Sequence, residues 1–324
     1  MVPLGIKESR DPEFSLGDSL TCVIETGMYP ESKGLIAGYN YHLLREFAKD
    51  NEKELEIILS DAPGLLDSLE TGAIDILVSP LCDSLTKNDG VLVSDAIDSI
   101  CCWVVDRRYK SGMRTINRWL DDWMDNEDND SVRKRFLHTY NPYRRRSGAS
   151  YICPYDDIIK HAADSIGWDW RLLAAVIYQE SHFRIDARSH RGALGLMQLM
   201  PYTAEYITAE DMIDPQKSIA AGAGYLKRLS NCYRDTADEV ENYKFTLAAY
   251  NAGTGRIRDC LNYANHKGVD TSRWENIVEI IPDMREEEIY SLDTIKLGMF
   301  KGVETIDYVN TVMSLYDEFR RICP

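Results

Sequence analysis

Two textures of hydrophobic patterning divide this chain. In the first third, short apolar runs alternate with amphipathic stretches. Leu20-Thr21-Cys22-Val23-Ile24 reads as a buried strand, 41–49 as an amphipathic helix, and 55–59 as a second strand. Residues 64–71 read as another helix and Ile74-Asp75-Ile76-Leu77-Val78 as a third strand. Such β-α-β-α-β alternation predicts an open α/β sheet with parallel pairing. Residues 100–105 add a strand, and Thr115-Ile116-Asn117-Arg118-Trp119-Leu120 a helix. Beyond 150 the period changes to that of helices, with Leu172, Leu173, Val176 and Ile177 on one face and a small-residue run at 245–252. The prediction is α+β overall: an α/β open-sheet module followed by an all-α domain.

The chemistry gathers in the helical half. Asp169 is placed to cap a helix, and Glu180 follows Ile177 and Val176 by three and four residues, at the edge of the apolar face. A carboxyl in apolar surroundings resists ionisation, so its pKa rises. The same position also suits a solvated helix-end glutamate. After it come Ser181, Ser189 and Gly192-Ala193-Leu194-Gly195-Leu196-Met197-Gln198-Leu199-Met200-Pro201, with no acid between Asp186 and Glu205. Gly192 and Gly195 allow positive φ or close backbone approach. Pro201 suits a helix start. One of Met197 and Met200 is expected in the core, whereas a buried Gln198 amide needs partners. The pattern suggests one proton-handling group in a cleft lined for a sugar.

A second block, Phe245-Thr246-Leu247-Ala248-Ala249-Tyr250-Asn251-Ala252-Gly253, reads as a helix stopped by Gly253. Tyr250 offers a ring and a hydroxyl, suited to a sugar or a carboxylate and equally to a core. Asn251 reads as a binding residue or a helix terminator, and Tyr308 has little local signal.

Taken in order over residues 151–310, these blocks resemble the catalytic core of the soluble lytic transglycosylases, lysozyme-like enzymes that cleave peptidoglycan. The resemblance implies that Glu180 is the sole catalytic acid and base. It implies substrate-binding roles for Ser189, Gln198, Met200, Tyr250, Asn251 and Tyr308. It further implies protonation of the MurNAc-GlcNAc β-1,4 oxygen by Glu180, then closure of a 1,6-anhydro ring by the sugar's C6 hydroxyl, with no metal or cofactor. Most glycosidases pair two carboxylates instead. A lysozyme-type hydrolase on the same fold, or a wall-binding scaffold with a vestigial site, are the alternatives.

The strand-rich third resembles the first lobe of periplasmic solute-binding proteins, most recognisably at Gly72-Ala73-Ile74-Asp75-Ile76. A closing second lobe is expected to be missing, because the chain passes through 106–112 directly into the helix at 115. Lys87 lies where that family often keeps an arginine, and an ammonium lacks the bidentate fork. A scaffold or contact module, touching a muropeptide or a protein, is therefore expected here. Together the two resemblances match a subfamily, the membrane-bound lytic transglycosylase F type, of which this chain looks like a reduced member. The expected organisation is a leader or vector-derived segment at 1–18, the single-lobe module at 19–139, a linker at 140–150 bearing Arg144-Arg145-Arg146, and the catalytic domain at 151–324.

Composition narrows the partners. The 324 residues carry a formal charge of -16, which argues against nucleic acid and anionic membranes. No run is long enough to span a bilayer, and the start lacks a secretion signal. For a wall-cleaving enzyme the expectation is a periplasmic or envelope protein whose leader is removed. Eight cysteines show no zinc-like spacing, and Cys101 and Cys102, on opposite strand faces, make poor partners for each other. The acidic run at 121–130 reads as a solvated helix end and loop.

Overall fold

A computed structural model describes residues 19–26, 35–97, 100–142, 151–200 and 208–324. The leader expected at 1–18, the arginines of the linker and Pro201 lie outside these residues. The chain divides into two compact units, Met1–Asn141 with Arg184–Asp186, and Pro142–Phe183 with Ala187–Pro324.

The N-terminal unit is built on a mixed sheet. Its elements are β1 (Ser19–Glu25), α1 (Ile36–Asp50), β2 (Glu54–Ser60), α2 (Leu65–Thr71), β3 (Ile76–Ser79), α3 (Cys82–Leu85), β4 (Val91–Val93), β5 (Cys102–Asp106), α4 (Lys110–Met124) and α5 (Glu127–Leu137). The strand order is β2-β1-β3-β5-β4. Strand β1 pairs parallel with β2 (Ser19 opposite Glu54) and with β3 (Cys22 opposite Ile76). The parallel expectation holds there, where helical crossovers intervene. The later strand β5, whose direction that alternation does not address, runs antiparallel to β3 and to β4. The chain from Val93 to Cys102 is too short for a crossover helix, so β4 can return only as an antiparallel neighbour.

Alternation along the strands sorts side chains to two faces. Val23, Leu77, Cys102 and Val104 pack with Leu69 and Leu85 on one face. On the other, Trp103 meets Phe47 of α1 at 5.5 Å between ring centroids and stacks on Trp119, which stacks in turn on Trp123 at 5.1 Å. The indole groups of this cluster find acceptors, while the buried His42 Nε2, on a ring 6.0 Å from that of Trp123, has no hydrogen-bond partner among the described residues. Trp103 Nε1 donates to Asn40, and both Tyr39 Oη and Trp123 Nε1 donate to Asn129 Oδ1. At the carboxyl ends of the parallel strands Ser79 Oγ donates to Glu25 at 2.6 Å. Lys87 is exposed after α3, and the acidic run spans the end of α4 and the start of α5. All eight cysteines are free thiols, with Cys101 and Cys102 both buried.

The C-terminal unit is helical: α6 (Asp156–Ile166), α7 (Trp170–Ser181), α8 (Ala209–Ile213), α9 (Pro215–Ser230), α10 (Glu239–Ala252), α11 (Thr254–His266), α12 (Trp274–Ile280), α13 (Glu287–Tyr290) and α14 (Val303–Ile322). Helix α7 is central, and Leu172 through Ile177 are all buried. Asp169 caps it by accepting from the Arg171 N–H at 2.9 Å and also binds the Arg171 guanidinium and Tyr316 Oη. Such a cap is worth about 1 kcal/mol. Helix α14 packs on α7 and α10, and α9 packs on α6 and α10. Asp214 and Pro215 start α9, and Gly253 ends α10 as expected from the sequence. No helix among the described residues is long and apolar enough to cross a membrane.

Candidate functional site

Glu180 sits in the last turn of α7, where the helix emerges from the core, so its stem is enclosed and its carboxyl only partly open. Burial pushes its pKa from 4.5 up to about 7. One hydrogen bond opposes that rise: Tyr308 Oη, on α14, donates to Glu180 Oε1 at 2.5 Å. Tyr308 is itself buried, and burial together with the Glu180 charge holds its hydroxyl protonated, well above the ordinary tyrosine range.

Tyr250, near the end of α10, belongs to the same neighbourhood. Its hydroxyl donates to the Met197 carbonyl at 2.6 Å, and its ring lies 5.5 Å from that of Tyr225 on α9. Burial first, then the charges of Glu180 and Tyr225, push its pKa well up, so it stays a neutral donor. Nothing in its own segment of sequence marks Tyr225 as part of the site.

The loop from Ala187 to Met200 is tied together by its own polar atoms. Ser189 is exposed; its Oγ accepts from the Ala193 N–H at 2.9 Å, closing a turn. Gln198 Nε2 donates to the carbonyls of Ala187 and Gly195, both at 3.0 Å, so the amide's donors are spent on the loop's own backbone. Gln198 adopts φ +47°, an uncommon value for a side-chain-bearing residue. Gly192 and Gly195 both have positive φ, as expected. At Gly195 a Cβ would lie 2.0 Å from the Met212 carbonyl oxygen, so only glycine fits. Met197 is fully buried against Gly222, and Met200 is half-buried. The core assignment therefore falls to Met197.

Asn251, exposed at the end of α10, accepts from Thr305 Oγ1 of α14 at 2.9 Å. This bond fixes the head of α14 beside α10, one turn before Tyr308. Thr305 carried no recognisable signal, because its value lies in a partner 54 residues away. Asp186, the first acid after Glu180, is engaged by both Nε and Nη2 of Arg184. No cluster of metal-ligating side chains occurs among the described residues.

Residues 157–272 match the family described as Transglycosylase SLT domain. This segment is a transglycosylase SLT domain. A membrane-bound lytic murein transglycosylase F from Desulfosudis oleivorans is 34% identical over 66% of this chain and 48% of its own length. One of the same name from Marinobacter nauticus is 37% identical over 52% of this chain and 33% of its own. The chain thus spans half or less of the length of these relatives. Among solved structures, the 70 kDa soluble lytic transglycosylase from Escherichia coli aligns with 53% of this chain and 24% of its own, at 24% identity and a TM-score of 0.39. The matched segment covers part of the helical unit and contains Glu180, Ser189, Gln198, Met200, Tyr250 and Asn251; Tyr308 falls after it.

Proposed function

We propose that the C-terminal unit is a peptidoglycan lytic transglycosylase and that Glu180 carries both proton transfers. The observation that supports this most is a lone, enclosed carboxyl pushed up to about 7 and bonded by a neutral tyrosine. A group with that pKa is an acid at neutrality and a base once it has given up its proton. In the proposed sequence Glu180 protonates the glycosidic oxygen as it leaves MurNAc. The sugar's acetamido group supports the cationic centre, and the Glu180 carboxylate, now accepting from Tyr308, takes the proton of the C6 hydroxyl. Ring closure follows, and water is not consumed.

Tyr250 is proposed to hold the Met197 backbone and with it the loop that carries Gln198. Ser189, Met200 and Asn251 complete the proposed groove. For the N-terminal unit we propose a contact role toward a muropeptide or protein, since Glu25 and Ser79 at the strand ends satisfy each other. An envelope location accords with the names of the relatives.

Clearing of a peptidoglycan suspension tests the assignment. The parent chain should clear it, and Glu180→Gln should be slower by at least about a hundredfold with its fold intact. A variant within a few-fold of the parent would remove Glu180 from the reaction.

A further inference from the structure

Two thiols of the N-terminal unit share one acceptor. Cys102 begins β5 opposite Ser79 of β3 in the antiparallel register, and its Sγ donates to the Ser79 carbonyl at 3.5 Å. Cys82 opens α3, three residues after Ser79. Its Sγ lies 3.7 Å from that same carbonyl oxygen and 3.6 Å from the carbonyl of Ile100. Two sulfurs held on one oxygen can be no farther apart than those two distances combined. Both side chains also pack into one apolar cluster, with Val23, Leu77 and Val104.

The two positions differ in access. Cys102 is fully buried, whereas Cys82 is half-buried, so solvent reaches one thiol and the other stands behind it. Thiol–disulfide exchange uses such an arrangement: an outer sulfur meets the oxidant, and an inner one displaces what the outer has taken up. A thiol is a weak donor, so little is lost when two S–H groups on a carbonyl give way to one S–S bond.

The neighbouring thiols of this unit do not compete. Cys101 precedes Cys102 by one residue and by strand alternation turns to the other side. Cys22, on β1, is wholly buried, and burial together with the Asp75 charge pushes its thiol far above the ordinary range. A thiol that stays protonated is neither nucleophile nor leaving group.

We propose that Cys82 and Cys102 form an intramolecular disulfide by exchange with a disulfide oxidant, stapling α3 to β5 and closing the segment that carries the edge strand β4. In the first step the Cys82 thiolate attacks a sulfur of the oxidant, forms a mixed disulfide and expels one thiolate. In the second the Cys102 thiolate attacks the Cys82 sulfur and expels the other. Two cysteine thiols are oxidised to one disulfide, the oxidant is reduced to two thiols, and the two cysteine protons end on those thiols. The closed segment holds a strand of only 3 residues at the sheet's edge, where a limit on the unfolded chain's freedom adds stability. The envelope location proposed above is a compartment in which disulfides form and persist. None of this depends on what the helical unit cleaves.

The test exposes the reduced full chain to oxidised glutathione at neutral pH and stops the exchange by alkylation once Cys232, exposed on the helical unit, is fully modified. Mass analysis of the unreduced digest should show a bridge from the peptide bearing Cys82 to the peptide bearing Cys101 and Cys102, with fragmentation placing it on Cys102. In Cys102→Ala the glutathione should instead remain on Cys82, and Cys101→Ala should bridge as the parent does. The bridged parent should melt about 5 °C above the reduced one. Recovery of Cys82 and Cys102 as thiols, glutathione left on Cys82 in the parent, or a bridge to Cys101 overturns the proposal. So does a bridge that lowers the melting temperature. If Cys102→Ala fails to fold, the parent and Cys101→Ala decide alone: a bridge on Cys82 in both supports the staple, and its absence in either overturns it.

Discussion

Tyr308 and Glu180, 128 residues apart in sequence, share a 2.5 Å hydrogen bond in which the phenol donates and the carboxyl accepts. The bond favours the ionised carboxylate, while burial favours the neutral acid, and burial prevails, leaving the pKa at about 7. Tyr308 therefore matters most after Glu180 has lost its proton.

The pH profile should report this balance. With the acid form required first, activity should fall about tenfold per pH unit on the alkaline side of about 7. Tyr308→Phe removes a bond that lowers the pKa, so the alkaline limb should move to higher pH. The maximal rate should drop roughly tenfold or more, because the developing carboxylate loses its donor. Rates measured from pH 4 to 9 on both proteins check the shift, and a limb that moves to lower pH would reverse the assigned role of the bond.

Stability should carry the same signature with a definite sign. Glu180 has a higher pKa folded, about 7, than the ordinary 4.5 expected unfolded. Between those values the folded state binds more protons, so its contribution to stability is lost as pH rises through that window. Glu180→Gln removes the titrating group and keeps an acceptor for Tyr308. The variant should melt higher than the parent at pH 8, by on the order of 3 kcal/mol at most, and nearly equal to it at pH 4. Denaturant unfolding at the two pH values measures the difference.

Gly195→Ala should be among the more damaging small changes. It places a Cβ 2.0 Å from the Met212 carbonyl oxygen at φ +70°, in a residue whose own carbonyl receives Gln198. A loss on the order of 3 kcal/mol is expected, with activity falling alongside. Urea midpoints for the variant and for Gly192→Ala separate the two causes, because Gly192 shares the positive φ and has open space around it.

Much of this site was legible because its local signals were strong. Apolar spacing placed α7 and put Glu180 at its end, Asp169 and Gly253 marked helix boundaries, and the glycines marked the loop. What sequence could not supply was partnership across the fold. Tyr308 looked weakest of the candidates, since nothing in its own helix says that its hydroxyl meets a carboxyl on α7. Ser189 and Gln198 were legible as polar residues in a sugar-lining loop, yet their donors and acceptors turn back onto that loop's backbone. In the N-terminal unit the short apolar runs locate the strands, but the three-residue β4 is too short to show a pattern, and with it the antiparallel edge stays hidden.

The central claim is that the sugar's own C6 hydroxyl, and not water, takes the place of the leaving group. Digestion of peptidoglycan by this chain in water enriched in heavy oxygen, followed by mass analysis of the muropeptides, tests it most directly. The account predicts 1,6-anhydro-MurNAc termini with no heavy oxygen in the sugar. Reducing ends carrying the label in most products would contradict it and make the enzyme a hydrolase.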